Sequence, residues 1–153
     1  MAFSFLFQNL LKLAQHEEDE VKTRLAIKDG QIAAIDAEVE RLRQARDAGL
    51  DAKAQDLLAG RMERVRMYPA YFLRLKNREE FHLEERERLV SQRNKIIAEL
   101  SEKRRARKVL EKVRERDEEN FRKLEQKNDQ KRMDEFAAQT FRRQEEEEVL
   151  PNA

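Results

Sequence analysis

Apolar residues recur every three or four positions from Phe3 to Leu42, and this repeat constrains the fold more than any other feature of the chain. Phe3, Phe7, Leu10, Ala14, Glu17 and Val21 follow 4-3-4-3-4 spacing, and Leu25, Lys28, Ile32, Ile35, Val39 and Leu42 continue it after one extra step of four. Such spacing gathers one stripe of side chains on one side of an α-helix, and that stripe needs a second helix to cover it. The step from Val21 to Leu25 reads as a stutter that locally unwinds a supercoil. Gly30 costs the helix about 1 kcal/mol relative to Ala without interrupting the repeat. A first helix is expected over about 3–47, with Glu18–Lys22 and Glu20–Arg24 pairs on its wet face in the favourable Glu-first order.

Composition decides how thick the resulting core is. Of 153 residues 42% are charged, which leaves too few apolar side chains for a thick one. Disorder is the competing reading for so charged a chain. The long apolar repeat, with only three Gly and two Pro to interrupt it, favours long helices instead. The net charge of +1 supplies no global field to hold nucleic acid or a membrane, so a charge-driven partner has to be met locally. The absence of Cys excludes disulfides and thiolate metal sites. The opening MAFSFLFQNLL has no basic leader and no small-residue cleavage site, and it turns polar by Lys12. It therefore reads as neither signal peptide nor membrane span, and a soluble intracellular protein is expected.

Gly49, Gly60 and Pro69 cluster where the repeat breaks. A turn region is expected over about 48–68, with Leu57 and Leu58 in one short helical element. Pro69 suits the first turn of a following helix, where its missing N–H has no partner to lose. Phe72, Leu75, His82, Leu89, Ile96, Leu100, Leu110, Phe121 and Leu124 then mark a second helix over about 69–145. Arg86, Arg93 and Arg107 fall on intended seam positions, where long stems can cover apolar surface while the guanidinium stays wet. An acidic, frayed tail is expected over 146–153, because Glu145 to Glu148 oppose the helix dipole.

The expected fold class is therefore all-α: a single elongated, long antiparallel two-helix coiled-coil hairpin with the C-terminal helix overhanging. Counting back from the turn sets residue 3 opposite roughly 110–115. The segment beyond Arg116 then has little or no intramolecular partner. That segment contains "DQKRMDEFAAQTFRRQ", in which Met133, Phe136, Ala137, Thr140 and Phe141 share helical spacing between basic flanks. Another protein is the one use such residues suggest.

Catalytic and metal chemistry find little support. His16 with Glu20, and His82 within "EEFHLEE", do not supply the three or four converging ligands of a zinc site. No Gly-rich phosphate loop or nucleophile elbow is present, and two helices enclose no ready pocket, so no enzyme, cofactor or small-molecule ligand is expected. "KRRARK", Lys103 to Lys108, resembles a nucleic-acid patch taken alone. Glu99, Glu102 and Glu111 dilute it, and no aromatic is interleaved for base stacking. From Lys103 to Arg132 basic residues outnumber acidic ones thirteen to seven, which suits an acidic protein surface as well as phosphate. Near the turn, Tyr68, Tyr71 and Phe72 cap the coiled coil or form a docking tip, and Tyr71, Leu75, Arg78 and His82 are spaced 4-3-4 for one face.

The segment "RKLEQKNDQKRMDEFAAQTFRRQ", residues 122–144, resembles the C-terminal signature of the FliJ family of flagellar export proteins. "FLFQNLLKLAQHEEDEVKTRLA" is similar to the family's opening, and length and hairpin plan agree over essentially the whole chain. The resemblance implies a cytoplasmic, non-enzymatic stalk of the flagellar type III export apparatus, at the inner membrane of the flagellar base and shaped like a rotary-ATPase stalk. It further implies insertion into the hexameric export ATPase, contact with the cytoplasmic part of the export gate, and an escort role for export chaperones. Carried onto this sequence, the ATPase ring meets Gln130, Lys131, Arg132, Met133, Phe136, Ala137, Phe141 and Arg142, with Arg143 beside them. The gate meets Tyr68, Tyr71, Phe72, Leu75, Arg78 and His82.

Two other classes fit the residues. A basic coiled coil binding nucleic acid predicts affinity that falls steeply with salt, whereas the stalk reading expects no nucleic-acid partner. A structural protein that homodimerises through its overhang predicts a dimer in light scattering, whereas the stalk reading expects a monomer away from its ring.

Overall fold

A computed structural model describes residues 2–149; residues 150–153 of the expected acidic tail lie outside the described residues. Three helices follow in order: α1 (Gln8–Leu58), the four-residue α2 (Met62–Val65) and α3 (Tyr68–Val149). No strand occurs among the described residues, and α1 packs on α3 as an all-α helical hairpin. Two compact units divide the chain, one of residues 16–104 and one combining the segment up to Gln15 with that from Arg105 onward.

Within residues 16–104 the pairing is antiparallel and keeps a heptad register. Asp29 binds Arg93, Asp36 binds Arg86 at 2.6 Å and Arg43 binds Glu79 at 2.8 Å, so each step of seven up α1 is a step of seven down α3. Arg86 and Arg93 are therefore rungs of a cross-helix ladder, beyond the apolar-stem role expected of them. Arg24 belongs to the same ladder through Glu99 at 2.6 Å. The expected Glu20–Arg24 pair gives way to it, and Glu20 meets His16 at 3.2 Å. Between the rungs, Val21, Ile96 and Leu100 form a buried cluster with Leu25 against it.

The buried stripe of α1 differs in phase from the sequence expectation. Leu11 is 1% exposed and Leu10 is 50% exposed, so the stripe runs Leu11, Ala14, Glu18, Val21, Leu25, Lys28 in unbroken 3-4 alternation. No stutter is needed at Val21. Counted from Phe3 and Phe7, which precede α1, the repeat in the sequence takes its phase at Leu10 and Glu17. Glu18 is 2% exposed and its carboxylate meets Lys22 at 3.3 Å and Arg104 at 3.3 Å, which satisfies a charge that is otherwise costly to bury.

Helix boundaries also move. α1 starts at Gln8 instead of about 3, because Phe5 is buried and its ring meets Phe7 edge-on at 5.9 Å ahead of the helix. α1 also continues past the expected end at 47 to Leu58. Gly49 does not break it: the Phe72 ring lies where a Cβ would stand, 2.9 Å away, so this glycine admits an aromatic ring to the helix surface. Leu57 and Leu58 are the last turn of α1 instead of an element of their own.

The chain reverses at Gly60, whose φ of 72° ends α1. Arg61 N–H donates to the Asp56 carbonyl at 2.9 Å and Gly60 N–H to the Leu57 carbonyl at 3.2 Å, the two bonds of a Schellman cap. α3 then begins at Tyr68, with Pro69 in its first turn as expected, and stays helical through Val149. Glu145 to Glu148 thus extend the helix where fraying was expected, and the high helix propensity of Glu accounts for it.

In the other unit, Phe3 packs on Phe121 with ring centroids 5.6 Å apart, beyond the expected partners at 110–115. The turn, confined to 59–67 instead of the expected 48–68, is centred later in the chain, which moves the partners of α1 further along α3. From residue 126 to 149 every described side chain is exposed.

Candidate functional site: two contact surfaces

The C-terminal surface is a bare helix face. Met133, Phe136 and Phe141 are 72%, 71% and 62% exposed, with Ala137 and Thr140 on the same side. Spacings of three and four residues align them. The Thr140 hydroxyl donates to the Phe136 carbonyl at 2.9 Å and so is occupied within the helix. Gln130, Lys131, Arg132, Arg142 and Arg143 flank the stripe, all exposed. Every residue assigned to a ring contact in the sequence therefore lies on one continuous, exposed helical segment. Exposed apolar side chains of this size, gathered on one face, make this the candidate interaction surface of the segment.

The surface near the turn is more selective than the sequence suggested. Tyr68, Phe72, Leu75 and His82 are half-buried and follow the 4-3 alternation of the seam, so they face α1 as much as solvent. Tyr68 stacks on Phe72 at 5.8 Å, and Phe72 meets Tyr71 at 5.7 Å. The Tyr68 hydroxyl donates to Asp56 at 2.7 Å. Arg61 adds a bond to the same carboxylate at 2.8 Å. Together, the Tyr68 hydroxyl first and Arg61 second, they hold the Asp56 carboxyl below its ordinary range, while bonding to that carboxylate raises the Tyr68 phenol.

Tyr71 is half-buried, its ring 3.0 Å from where a Gly49 Cβ would stand, and Arg78 is exposed. Tyr71, Met67 and Arg74 line one side of an open groove of about 690 Å³, with Arg64 at its edge. Its floor is Ala45, Ala48, Gly49 and Ala52 on α1. Sequence reasoning missed this floor because it ended α1 at 47. The 3-1-3 spacing of four small residues was the available signal. Exposed Leu50, Met62, Met67 and Leu73 surround the tip with further apolar surface.

The remaining chemistry-bearing residues serve structure. Lys103 and Arg104 of "KRRARK" bind Glu17 and Glu18 across the helices, and Arg107 binds Glu111 at 2.8 Å along α3. These bonds turn part of the run away from an external anion. Among the described residues no group of three or more His, Cys, Asp or Glu is placed to hold a metal ion. No described helix is long and apolar enough to cross a membrane.

Two long paired helices with a thin mixed seam define the class of the fold, an all-α helical hairpin. A family model, Flagellar FliJ protein, matches residues 3–146, and the chain belongs to that family. It is accordingly a flagellar export-associated protein of a non-catalytic family. Neither a curated protein nor a solved structure matches the chain.

Proposed function

We propose that this protein is the stalk that couples the hexameric flagellar export ATPase to the export gate. The observation that carries the reading is the exposed Met133, Phe136, Phe141 stripe on a helical segment with no internal cover. A ring of ATPase subunits offers both an apolar lining for the stripe and carboxylates for Lys131, Arg132, Arg142 and Arg143. A single asymmetric rod cannot touch all subunits alike. Nucleotide state around the ring and orientation of the rod then become linked equilibria, which is coupling without chemistry in the stalk itself.

The tip serves the gate in this reading. Tyr71 and Arg78 keep the role assigned from the sequence, and the groove beside Tyr71 adds Met67 and Arg74. Tyr68, Phe72, Leu75 and His82 act by shaping that surface from the seam. Export chaperones are further partners, and the protein works in the cytoplasm against the inner membrane. The test is export-ATPase activity with the double variant Met133→Asp, Phe136→Asp. Loss of stimulation with helix content unchanged is expected, and retained stimulation would move the ring contact elsewhere.

A further inference from the structure

The unpaired arginines of residues 16–104 gather at the chain reversal. Among the described residues every arginine of that unit makes an ion pair except Arg66, Arg74 and Arg78. Arg61 and Arg64 share one carboxylate, that of Asp56, at 2.8 and 4.0 Å. From Leu57 to Arg78 six basic residues stand against Glu63 alone, which leaves 27 basic and 31 acidic residues for the rest of the chain. The reversal is therefore strongly cationic and the remainder net anionic.

Exposed apolar groups share this cationic stretch. Leu58 is 91% exposed and Met67 71%, with Leu57 and Met62 about half exposed. They come from the last turn of α1, from α2 and from the residue before α3. Leu57 and Leu58 are consecutive on a helix and so leave it about 100° apart. The groove beside Tyr71 takes in Met67 and none of the other three. A partner lying along one face covers some of this set and leaves the others wet.

We infer that the chain reversal, residues 57–67, docks end-on in the headgroup layer of an anionic lipid bilayer. A fluid interface closes around a convex end from every side, so Leu57, Leu58, Met62 and Met67 are covered together at the acyl boundary. Arg66 and Arg74, which have no internal partner to give up, meet lipid phosphates, and Arg64 joins them. The net-anionic remainder of the chain is repelled by the same surface, which favours the end over the flank. No described helix is long and apolar enough to cross the bilayer, so the contact is interfacial. The inference rests on neither the ring contact nor the gate contact.

The test is co-sedimentation of the full chain with vesicles of mixed phosphatidylcholine and phosphatidylglycerol, and with vesicles of phosphatidylcholine alone. Binding to the mixed vesicles that weakens with salt, and little to the uncharged ones, is expected. No binding to the mixed vesicles, or equal binding to both, overturns the inference. Arg66→Gln with Arg74→Gln breaks no internal ion pair and should weaken binding about tenfold or more. Lys112→Gln with Lys127→Gln removes the same charge elsewhere and should bind like the wild type; an equal loss overturns the inference. Leu58→Gln with Met62→Gln keeps every charge and should also weaken binding. Full retention in that variant reduces the contact to a polyanion site and overturns the bilayer. The chain has no Trp, so Met62→Trp supplies a single emitter. Its emission should shift to the blue on mixed vesicles, and that of Ala33→Trp, on the exposed flank of α1, should not. Shifts at both positions overturn end-on docking. ATPase stimulation is read without lipid, so a chain that stimulates the ATPase but ignores vesicles removes only this inference, and one that binds vesicles without stimulating removes only the stalk reading.

Discussion

Tyr68, the first residue of α3, donates its hydroxyl to Asp56 in the last turn of α1 at 2.7 Å, and Arg61 from the intervening turn binds the same carboxylate. Asp56 is 5% exposed, so one carboxylate fixes three successive elements of the chain reversal. Its carbonyl also accepts the Arg61 N–H of the Schellman cap. The tip groove begins at this anchor, since Asp56, Arg64 and Tyr68 all line it.

The anchor sets a pH dependence. Asp56 has its folded pKa lowered from 3.8, so the stability it supplies is fully present above about pH 4 and is lost as pH falls through the folded value. Tyr68 has its pKa raised from 10.0, so the same bond is also lost as pH rises past that range. Asp56→Asn should lower the thermal midpoint at pH 7. The gap between variant and wild type should narrow below pH 4, as followed by circular dichroism. A gap that stays constant with pH would show that the carboxylate charge is not what holds the turn.

The phase of the α1 stripe is tested by neighbours. Leu11→Ala removes a fully buried side chain and should cost about 2–5 kcal/mol. Leu10→Ala, on a half-exposed side chain, should stay within about 0.5 kcal/mol. Chemical denaturation reads both, and a reversed order would restore the stuttered seam.

Three glycines should respond in three ways. Gly30 faces open space, so Gly30→Ala should stabilise by about 1 kcal/mol through helix propensity alone. Gly60→Ala should destabilise by about 1 kcal/mol, since an L side chain is strained at its positive φ. Gly49→Ala drives a methyl against the Phe72 and Tyr71 rings and should destabilise by roughly 1–3 kcal/mol, partly offset by propensity. Denaturation midpoints of the three variants measure this, and a stabilising Gly49→Ala would contradict the close approach of the rings.

The charge ladder fixes register because its polarity reverses between Asp36 and Arg43. Asp29 and Asp36 face Arg93 and Arg86, whereas Arg43 faces Glu79. A slip of one heptad in one direction brings Arg43 to Arg86, and in the other it brings Asp36 to Glu79. Either slip sets like charges together, so the pattern penalises both. Arg43→Glu should lower the thermal midpoint and Arg43→Glu with Glu79→Arg should recover it. Failure of the double change to recover stability would leave register to the apolar cluster alone.

Much of this was legible in the sequence because period and breakers act locally. The 4-3 repeat after Pro69 located the α3 seam, including Arg86 and Arg93, and the excess length of α3 exposed the Met133 to Phe141 stripe. What escaped depended on a partner in space. Glu18 looks like a surface residue until Arg104 arrives from the other helix, so nothing in the sequence marked it as part of the stripe. Gly49 looks like a helix breaker until the Phe72 ring explains it, and that misread hid the groove floor. Leu75 and His82 share spacing with Arg78 but face the seam, because helical spacing alone does not say which side α1 covers.

The most direct measurement is titration of this protein into the flagellar export ATPase, with ATP hydrolysis and hexamer formation followed together. Saturation near one chain per ring, with hydrolysis and assembly rising in parallel and both lost in the Met133→Asp, Phe136→Asp variant, is the expected result. An active ATPase that neither binds the protein nor responds to it would contradict the stalk account.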